Sequence, residues 1–400
     1  MKIILSVDAL TPPLTGIGRY TLELAHGLAQ YKNNQPNLES LKYYRYGQWI
    51  QDINSLVSTN AKQNPQNSSD NPSNISPNNL VQSIKKMLKN NAYVRKAYQL
   101  ANPYITQFRL NKFSDHIYHG PNFYIPKNFS GKTIATIHDL SIFKYPQFHP
   151  KVRVDFMEKE INYTIKNVDF ILTDSNYTKQ EVIDFLGWSA DKIEAVPLAA
   201  QTNFKPYLEE QTQAFLNKFG LKHANYILCL ATVEPRKNIA TLLDAYDKLP
   251  ITIKQNYPLV IAGGKGWNSE DLHDRISKLE QKGWLKYLGY VDEQSLPLLL
   301  SGAKLFVFPS VYEGFGLPLL EAMACKVPVI ASNASCLPEV ANGVATLVDT
   351  YDVDGFTSAI IELVEDEILC KERGLNALEI SKNYSWQATI QKTINAYKKV

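Results

Sequence analysis

Two glutamates, Glu313 and Glu321, stand with seven residues between them in a stretch whose character changes several times. An apolar run from Leu305 to Phe308 reads as a buried strand. Glu313-Gly314-Phe315-Gly316 reads as a loop, Pro318 lies near the start of a helix, and a second apolar strand begins at Val327. A helix that opens beside glycines leaves its first N–H groups without intrahelical partners and presents the positive end of its dipole, a natural seat for phosphate. Carboxylates repel an anion held there. Both glutamates are therefore expected to face neutral, hydroxyl-rich parts of one ligand, and a nucleoside diphosphate sugar has two such parts with the diphosphate between them. Taken singly, each glutamate has a plainer reading. One is a solvated side chain, and the other pairs with its own helix dipole for roughly 0.3–1 kcal/mol.

Other residues offer complementary chemistry. Glu234-Pro235-Arg236-Lys237-Asn238 follows an expected strand at Tyr226–Ala231 and precedes a helix starting near Ile239. Two cations at the carboxyl end of a strand can clamp a diphosphate, arginine as a fork and lysine as a point charge, although an exposed basic turn has the same composition. Thr133–Ile137 reads as a strand that delivers His138 at its carboxyl end, where open parallel sheets bind ligands. A first strand, Lys2–Val7, leads to a loop carrying Gly16 and Gly18 and then to an amphipathic helix reaching about Ala29. Two glycines fall short of a dinucleotide fingerprint, and a tight turn alone would explain them. His116 and His119 have HxxH spacing without a framing helix or a third ligand, so they give little reason to expect a metal. Asp352-Val353-Asp354 sits between a strand and a helix and reads as a helix cap. No bound metal is expected.

Glu313-Gly314-Phe315-Gly316-Leu317-Pro318 with Glu321-Ala322-Met323-Ala324 resembles the donor-site signature of glycosyltransferase family 4. The resemblance covers nearly the whole chain and is most specific in its C-terminal half. It implies a retaining enzyme of GT-B fold, with two doubly wound Rossmann-like α/β domains facing across a cleft. It implies that Glu321 holds the ribose hydroxyls, that Glu313 lies by the transferred sugar, and that the amides of Gly314, Phe315, Gly316 and Leu317 approach the sugar and phosphate. By the same analogy the Gly16–Gly18 loop faces the cleft, with Gly18 letting the backbone approach the donor phosphate. Lys237 matches the lysine of the family's cationic pair. The family's arginine often stands several residues earlier, where this chain has Ala231-Thr232, so Arg236 either replaces it or points away. His138 orients the sugar or the acceptor hydroxyl, and backbone groups around Tyr290 and Val291, on a strand expected at Tyr287–Val291, meet the nucleobase. Gly16-Ile17-Gly18-Arg19-Tyr20, His138-Asp139-Leu140 and the Glu234–Asn238 loop together resemble bacterial mannosyltransferases of surface polysaccharide assembly, which favours GDP-mannose as donor.

Composition sets the frame. The chain has 400 residues, 44% hydrophobic and 20% charged, with a net charge of +3. That suits a globular protein of two domains and gives no reason to invoke nucleic acid. No apolar run reaches the ~18–20 residues needed to span a bilayer. MKIILSVDAL carries an acid within its apolar run and reads as a strand rather than a signal peptide. Four widely spaced cysteines without CxxC suit a reducing cytoplasm. The alternation of strands and helices divides the chain into α/β domains at residues 1–200 and 201–384; the resemblance makes the first the acceptor side and the second the nucleotide-sugar domain, with 385–400 as a helix returning to the first. Residues 54–79, rich in Asn, Pro, Ser and Gln, read as a flexible insert. Residues 84–112 carry Lys85, Lys86, Lys89, Arg95, Lys96, Arg109 and Lys112 with no acid, which suits a solvated helix face or peripheral contact with an anionic membrane.

The expected activity is transfer of a hexose from a nucleotide sugar, without a cofactor, to a glycan or lipid-linked glycan. A sugar-nucleotide epimerase or a phosphorylase on the same fold stays open, as does a nucleotide-sugar-binding protein without turnover.

Overall fold

The computed structural model describes residues 1–57 and 106–400. The basic stretch at 84–105 and the bulk of the insert, 58–79, lie outside the described residues. The first four residues of the insert, Asn54–Val57, form a helical turn rather than loop. Asp52 starts it, its carboxylate accepting from the Asn54 amide at 2.9 Å.

Two sheets organise the chain. The first comprises β1 (Lys2–Ser6), β2 (Ser40–Arg45), β3 (Gln48–Ile50), β4 (Ile117–Gly120), β5 (Thr133–Ile137), β6 (Phe170–Thr173) and β7 (Ile193–Ala195), in the order β3-β2-β1-β4-β5-β6-β7. The second comprises β8 (Ile227–Leu230), β9 (Leu259–Ala262), β10 (Leu285–Gly289), β11 (Leu305–Phe308), β12 (Val329–Ser332) and β13 (Thr346–Val348), in the order β10-β9-β8-β11-β12-β13. Both orders reverse direction beside their first strand, the doubly wound pattern in which ligands sit beyond the strand ends at the switch point. The pairings in the second sheet are all parallel. Strands of both sheets read as continuous apolar runs where both faces are covered: β5 and β6 in the first sheet and β9, β11 and β12 in the second are buried throughout. The sequence pattern does not show β2 and β3, an antiparallel hairpin turned by Tyr46 (φ 44°) and Gly47 (φ 85°), left-handed backbone that favours this tight reversal.

The helices used below are α1 (Gly16–Asn34), α2 (Asn176–Leu186), α3 (Ile239–Lys248), α4 (Leu317–Ala324), α5 (Leu337–Ala341), α6 (Val353–Glu365) and α7 (Trp386–Tyr397). Contacts divide the chain into two compact units. One holds residues 1–136, 167–170 and 397–400, and the other holds 137–166 and 171–396. In the first, α1 buries Tyr20, Leu24, Ala25 and Leu28, and Thr15 caps it by accepting from the Gly18 amide. The HxxH pair is structural. His119 is fully buried, bonding Tyr397 Oη at 2.7 Å and Thr136 Oγ1 at 2.9 Å, while His116 bonds Asp115 and Ser40. In the second unit, α3 and α6 pack on β8, β9, β11 and β12 through Leu242, Leu243, Tyr246, Phe356 and Ile360. Asp352 caps α6 by accepting from the Gly355 amide at 2.8 Å, and Asp354 pairs with Lys248.

Tyr397→Phe removes the hydroxyl from a buried imidazole nitrogen, an unmet bond worth about 1–3 kcal/mol. A clear fall in the urea midpoint is expected, and an unchanged midpoint would show that the His119 bond contributes nothing to stability.

Candidate active site

The switch point of the second sheet lies between β8 and β11, so the loops that follow these strands emerge side by side. The loop after β8 carries Arg236 and Lys237 on one 3-10 turn, Pro235–Lys237. Asn238 pins that turn. With a left-handed backbone (φ 52°), its side-chain amide donates to the carbonyls of Pro309 and Thr350 at 3.1 and 2.6 Å, and its oxygen accepts from Thr241. The Val311 amide donates back to the Arg236 carbonyl at 2.9 Å, tying the loop after β11 to the same turn.

Glu313 is where the two loops meet. Its side chain is buried, with the residue 7% exposed, and each carboxylate oxygen has its own cation. Lys237 Nζ lies 2.6 Å from Oε1 and Arg236 Nη1 lies 3.0 Å from Oε2. Arg236 also donates to the Tyr312 carbonyl at 2.8 Å and to Glu234 at 3.0 Å, so it points inward. Burial by itself would raise the Glu313 carboxyl. The Lys237 and Arg236 charges outweigh it and hold the group at about 2. Burial would lower Arg236, but Glu313, Asp139 and Glu234 keep its guanidinium charged.

Beyond Glu313 the backbone takes over. Gly316 occupies the cap position of α4 with φ 91° and no capping side chain, a conformation that favours glycine. Among the described residues, no acceptor faces the amides of Gly314, Phe315 and Gly316. Phe315 is buried edge-on against Tyr384. Glu321 lies in the second turn of α4 and is 2% exposed.

Gly314 packs so closely that a Cβ there would stand 1.7 Å from the His138 carbonyl oxygen. Its own carbonyl accepts from Ser175 Oγ at 2.7 Å and Thr178 Oγ1 at 3.2 Å. His138 follows β5, and its Nδ1 lies 2.7 Å from Asp174 Oδ2 at the end of β6. Burial pushes the Asp174 carboxyl up, and the His138 ring draws it partly back. Tyr312 Oη accepts from the Leu140 amide at 3.0 Å and donates to Glu181. Glu339 on α5 caps α2, receiving the Asn176 and Tyr177 amides at 2.9 Å each.

The second compact unit therefore brings together His138, Arg236, Lys237, Glu313, Gly314, Phe315, Gly316, Leu317 and Glu321. Gly16 and Gly18 belong to the first unit, where Gly16 opens α1 and Gly18 is buried against Ala9 and Leu14. Tyr290 and Val291 are not on a strand. β10 ends at Gly289, whose positive φ (63°) and a register shift after Tyr287 turn the chain away, leaving Tyr290 57% exposed and Val291 buried. Sequence reasoning assigned no role to Asp174, Asn238 or the Ser175 and Thr178 hydroxyls. Asp174 did carry a signal, since it ends the strand beside the one that delivers His138.

A family profile of the group 1 glycosyl transferases matches residues 211–379. Across 398 residues, spanning 100% of both chains, the sequence is 37% identical to O-antigen chain mannosyltransferase B of Escherichia coli. The chain belongs to the group 1 glycosyl transferases. It is also 32% identical over 280 residues to the serotype-specific mannosyltransferase WbdA of Escherichia coli, a match that takes in 68% of this chain and 34% of that longer protein. Among solved structures, Anabaena HepE in complex with UDP and glucose is similar with a TM-score of 0.69 at 16% identity, over 100% of both chains. WaaG, a glycosyltransferase involved in lipopolysaccharide biosynthesis, gives 0.69 at 12% identity over 98% of each. The fold of this glycosyltransferase is GT-B, built on two Rossmann-like sheets.

The depressed Glu313 carboxyl has a consequence for acid stability. A group whose folded value lies below its usual 4.5 contributes stability above that pH and loses it as pH falls toward about 2. Melting temperature should therefore drop between pH 5 and 3 in the wild type and drop less steeply in Glu313→Gln. Equal slopes in a thermal melt series would show that the two cations do not hold the carboxylate in solution.

Proposed function

We propose that this glycosyltransferase moves a mannosyl group, with retention of anomeric configuration, from GDP-mannose to a hydroxyl of a glycan or lipid-linked glycan. One observation carries the reading: Lys237 and Arg236 converge on Glu313 at the head of an amide row that opens α4. The mannose assignment draws support from the name of the 37% identical relative, an O-antigen chain mannosyltransferase.

Loss of the nucleoside diphosphate concentrates negative charge on its terminal phosphate. In this reading Lys237, Arg236 and the amides of Gly314, Phe315 and Gly316 receive that charge, so no metal ion is required. Glu321 receives the ribose hydroxyls. Glu313, fixed by its two cations, lies against the sugar, and His138 orients the sugar or the incoming hydroxyl. Glu321 is committed to ribose, so the two glutamates do not form the carboxylate pair of a double-displacement glycosidase. The backbone at Tyr290 and Val291 meets the base.

No helix among the described residues is long and apolar enough to cross a membrane. The reading places the enzyme in the cytoplasm, with residues 84–112 touching the anionic inner membrane face where a lipid-linked acceptor would be presented.

A thermal-shift screen of nucleotide sugars tests the donor, because a ligand bound only by the folded state raises the melting temperature. GDP-mannose should give the largest shift, and UDP-glucose giving a larger one would reassign base and sugar together. Glu321→Ala should abolish the shift while leaving the unliganded melting temperature within a few degrees. A large loss without ligand would make Glu321 a structural residue. Membrane contact is tested by sedimentation with anionic liposomes. Replacing Lys85, Lys86 and Lys89 with Glu should release the protein, and unchanged binding would remove the proposal.

A further inference from the structure

We propose that Asp174 is a positioning residue for His138, so that the pair, and not the histidine alone, meets the reacting sugar. The proposal rests on the reading above that His138 faces substrate. Its physical basis is independent of that reading. β5 and β6 are neighbours in the first sheet, and residues just past the ends of adjacent strands stand side by side. His138 and Asp174 occupy those two positions, both are buried, and His138 Nδ1 lies 2.7 Å from Asp174 Oδ2.

A carboxylate kept only to tie the fold together would be expected to satisfy both oxygens, because a buried charge without hydrogen bonds is costly. Asp174 does not. Among the described residues its Oδ1 is buried with no hydrogen-bond partner, while Oδ2 is given to the imidazole. A carboxylate at Nδ1 fixes the plane of the ring and keeps the proton on Nδ1, so Nε2 is the nitrogen that presents a lone pair. The histidine backbone is fixed as well, since Gly314 packs against its carbonyl. Among the described residues, Asp139, in the same loop as His138, and the Cys336 thiol at the start of α5 also interact electrostatically with Asp174. Asp139 is itself drawn to Arg236. Asp174 contacts the ring directly through Oδ2.

The test uses the full chain and follows GDP release from GDP-mannose with water as acceptor. Asp174→Asn keeps shape and removes charge. It should lower kcat about ten-fold or more, with KM for GDP-mannose within about two-fold, and keep a melting temperature near wild type. In a His138→Gln background, Asp174→Asn should cost nothing more, the signature of a residue that acts through another. Equal losses in both backgrounds, or a wild-type rate for Asp174→Asn, would overturn the proposal and leave the glycosyl-transfer reading intact. A wild-type rate for His138→Gln would instead sink the placement of His138 at the substrate, and this proposal with it. If wild-type protein releases no GDP, nitrogen NMR of labelled histidine decides. A His138 signal of the Nδ1–H form that is lost in Asp174→Asn supports the pair, and an unchanged signal refutes it.

Discussion

The arrangement depends on one constraint: the negative charge of Glu313 is buried and must be neutralised at contact distance. A carboxylate out of water is tolerated only when oppositely charged groups with good geometry compensate its lost hydration. Lys237 and Arg236 do so, one on each oxygen. Much of the surrounding structure follows from keeping them there. The loops after β8 and β11 must be adjacent, which the 3-2-1-4 order of the sheet provides. Asn238 must hold the basic turn against the end of β11, and Arg236 must be steadied by Glu234 and the Tyr312 carbonyl.

The repulsion that makes two acids beside an anion site look paradoxical in the sequence is resolved locally. Glu313 does not confront the amides of α4 as a bare charge, because it arrives already bound to two cations. The same two cations are the groups that the glycosyl-transfer reading gives to the departing diphosphate. An anion arriving there shares them with a carboxylate that is already in place, so the site carries near-balanced charge before any ligand enters.

Several strands buried on both faces were legible residue by residue, although β12 starts at Val329 and not at the expected Val327. Thr133–Ile137, Phe170–Thr173, Leu259–Ala262 and Leu305–Phe308 have the bounds that their apolar runs suggest, because a two-sided core admits little else. The β2–β3 hairpin was not, since its half-buried residues mix Lys, Tyr and Arg and give no clean period. At the site, the Glu313–Glu321 stretch and the basic turn were visible as local motifs. The partners of those motifs were not. Asp174 meets His138 from 36 residues away, and Glu339 caps a helix 163 residues earlier in the chain. Such pairs are made by topology, and spacing along one segment carries no trace of them. A boundary near residue 200 separates the strands of the two sheets, yet residues 137–166 and 171–200 share a compact unit with the second sheet. Leu140, Ser175, Asn176 and Thr178 all bond to residues between 312 and 339, which is why contacts group them so.

The grip of Ser175 and Thr178 on the Gly314 carbonyl reaches further than a loop tether. A trans peptide is a rigid plate whose C=O and N–H point in opposite senses. Anchoring the oxygen on one side therefore aims the Phe315 N–H at the other, as a lever turns about a fixed pivot. Two small hydroxyls near the start of α2 thus set the heading of a main-chain dipole nearly 140 residues downstream. Exchange of either hydroxyl in a related chain would rotate that dipole without altering a single letter of the glycine-rich stretch itself.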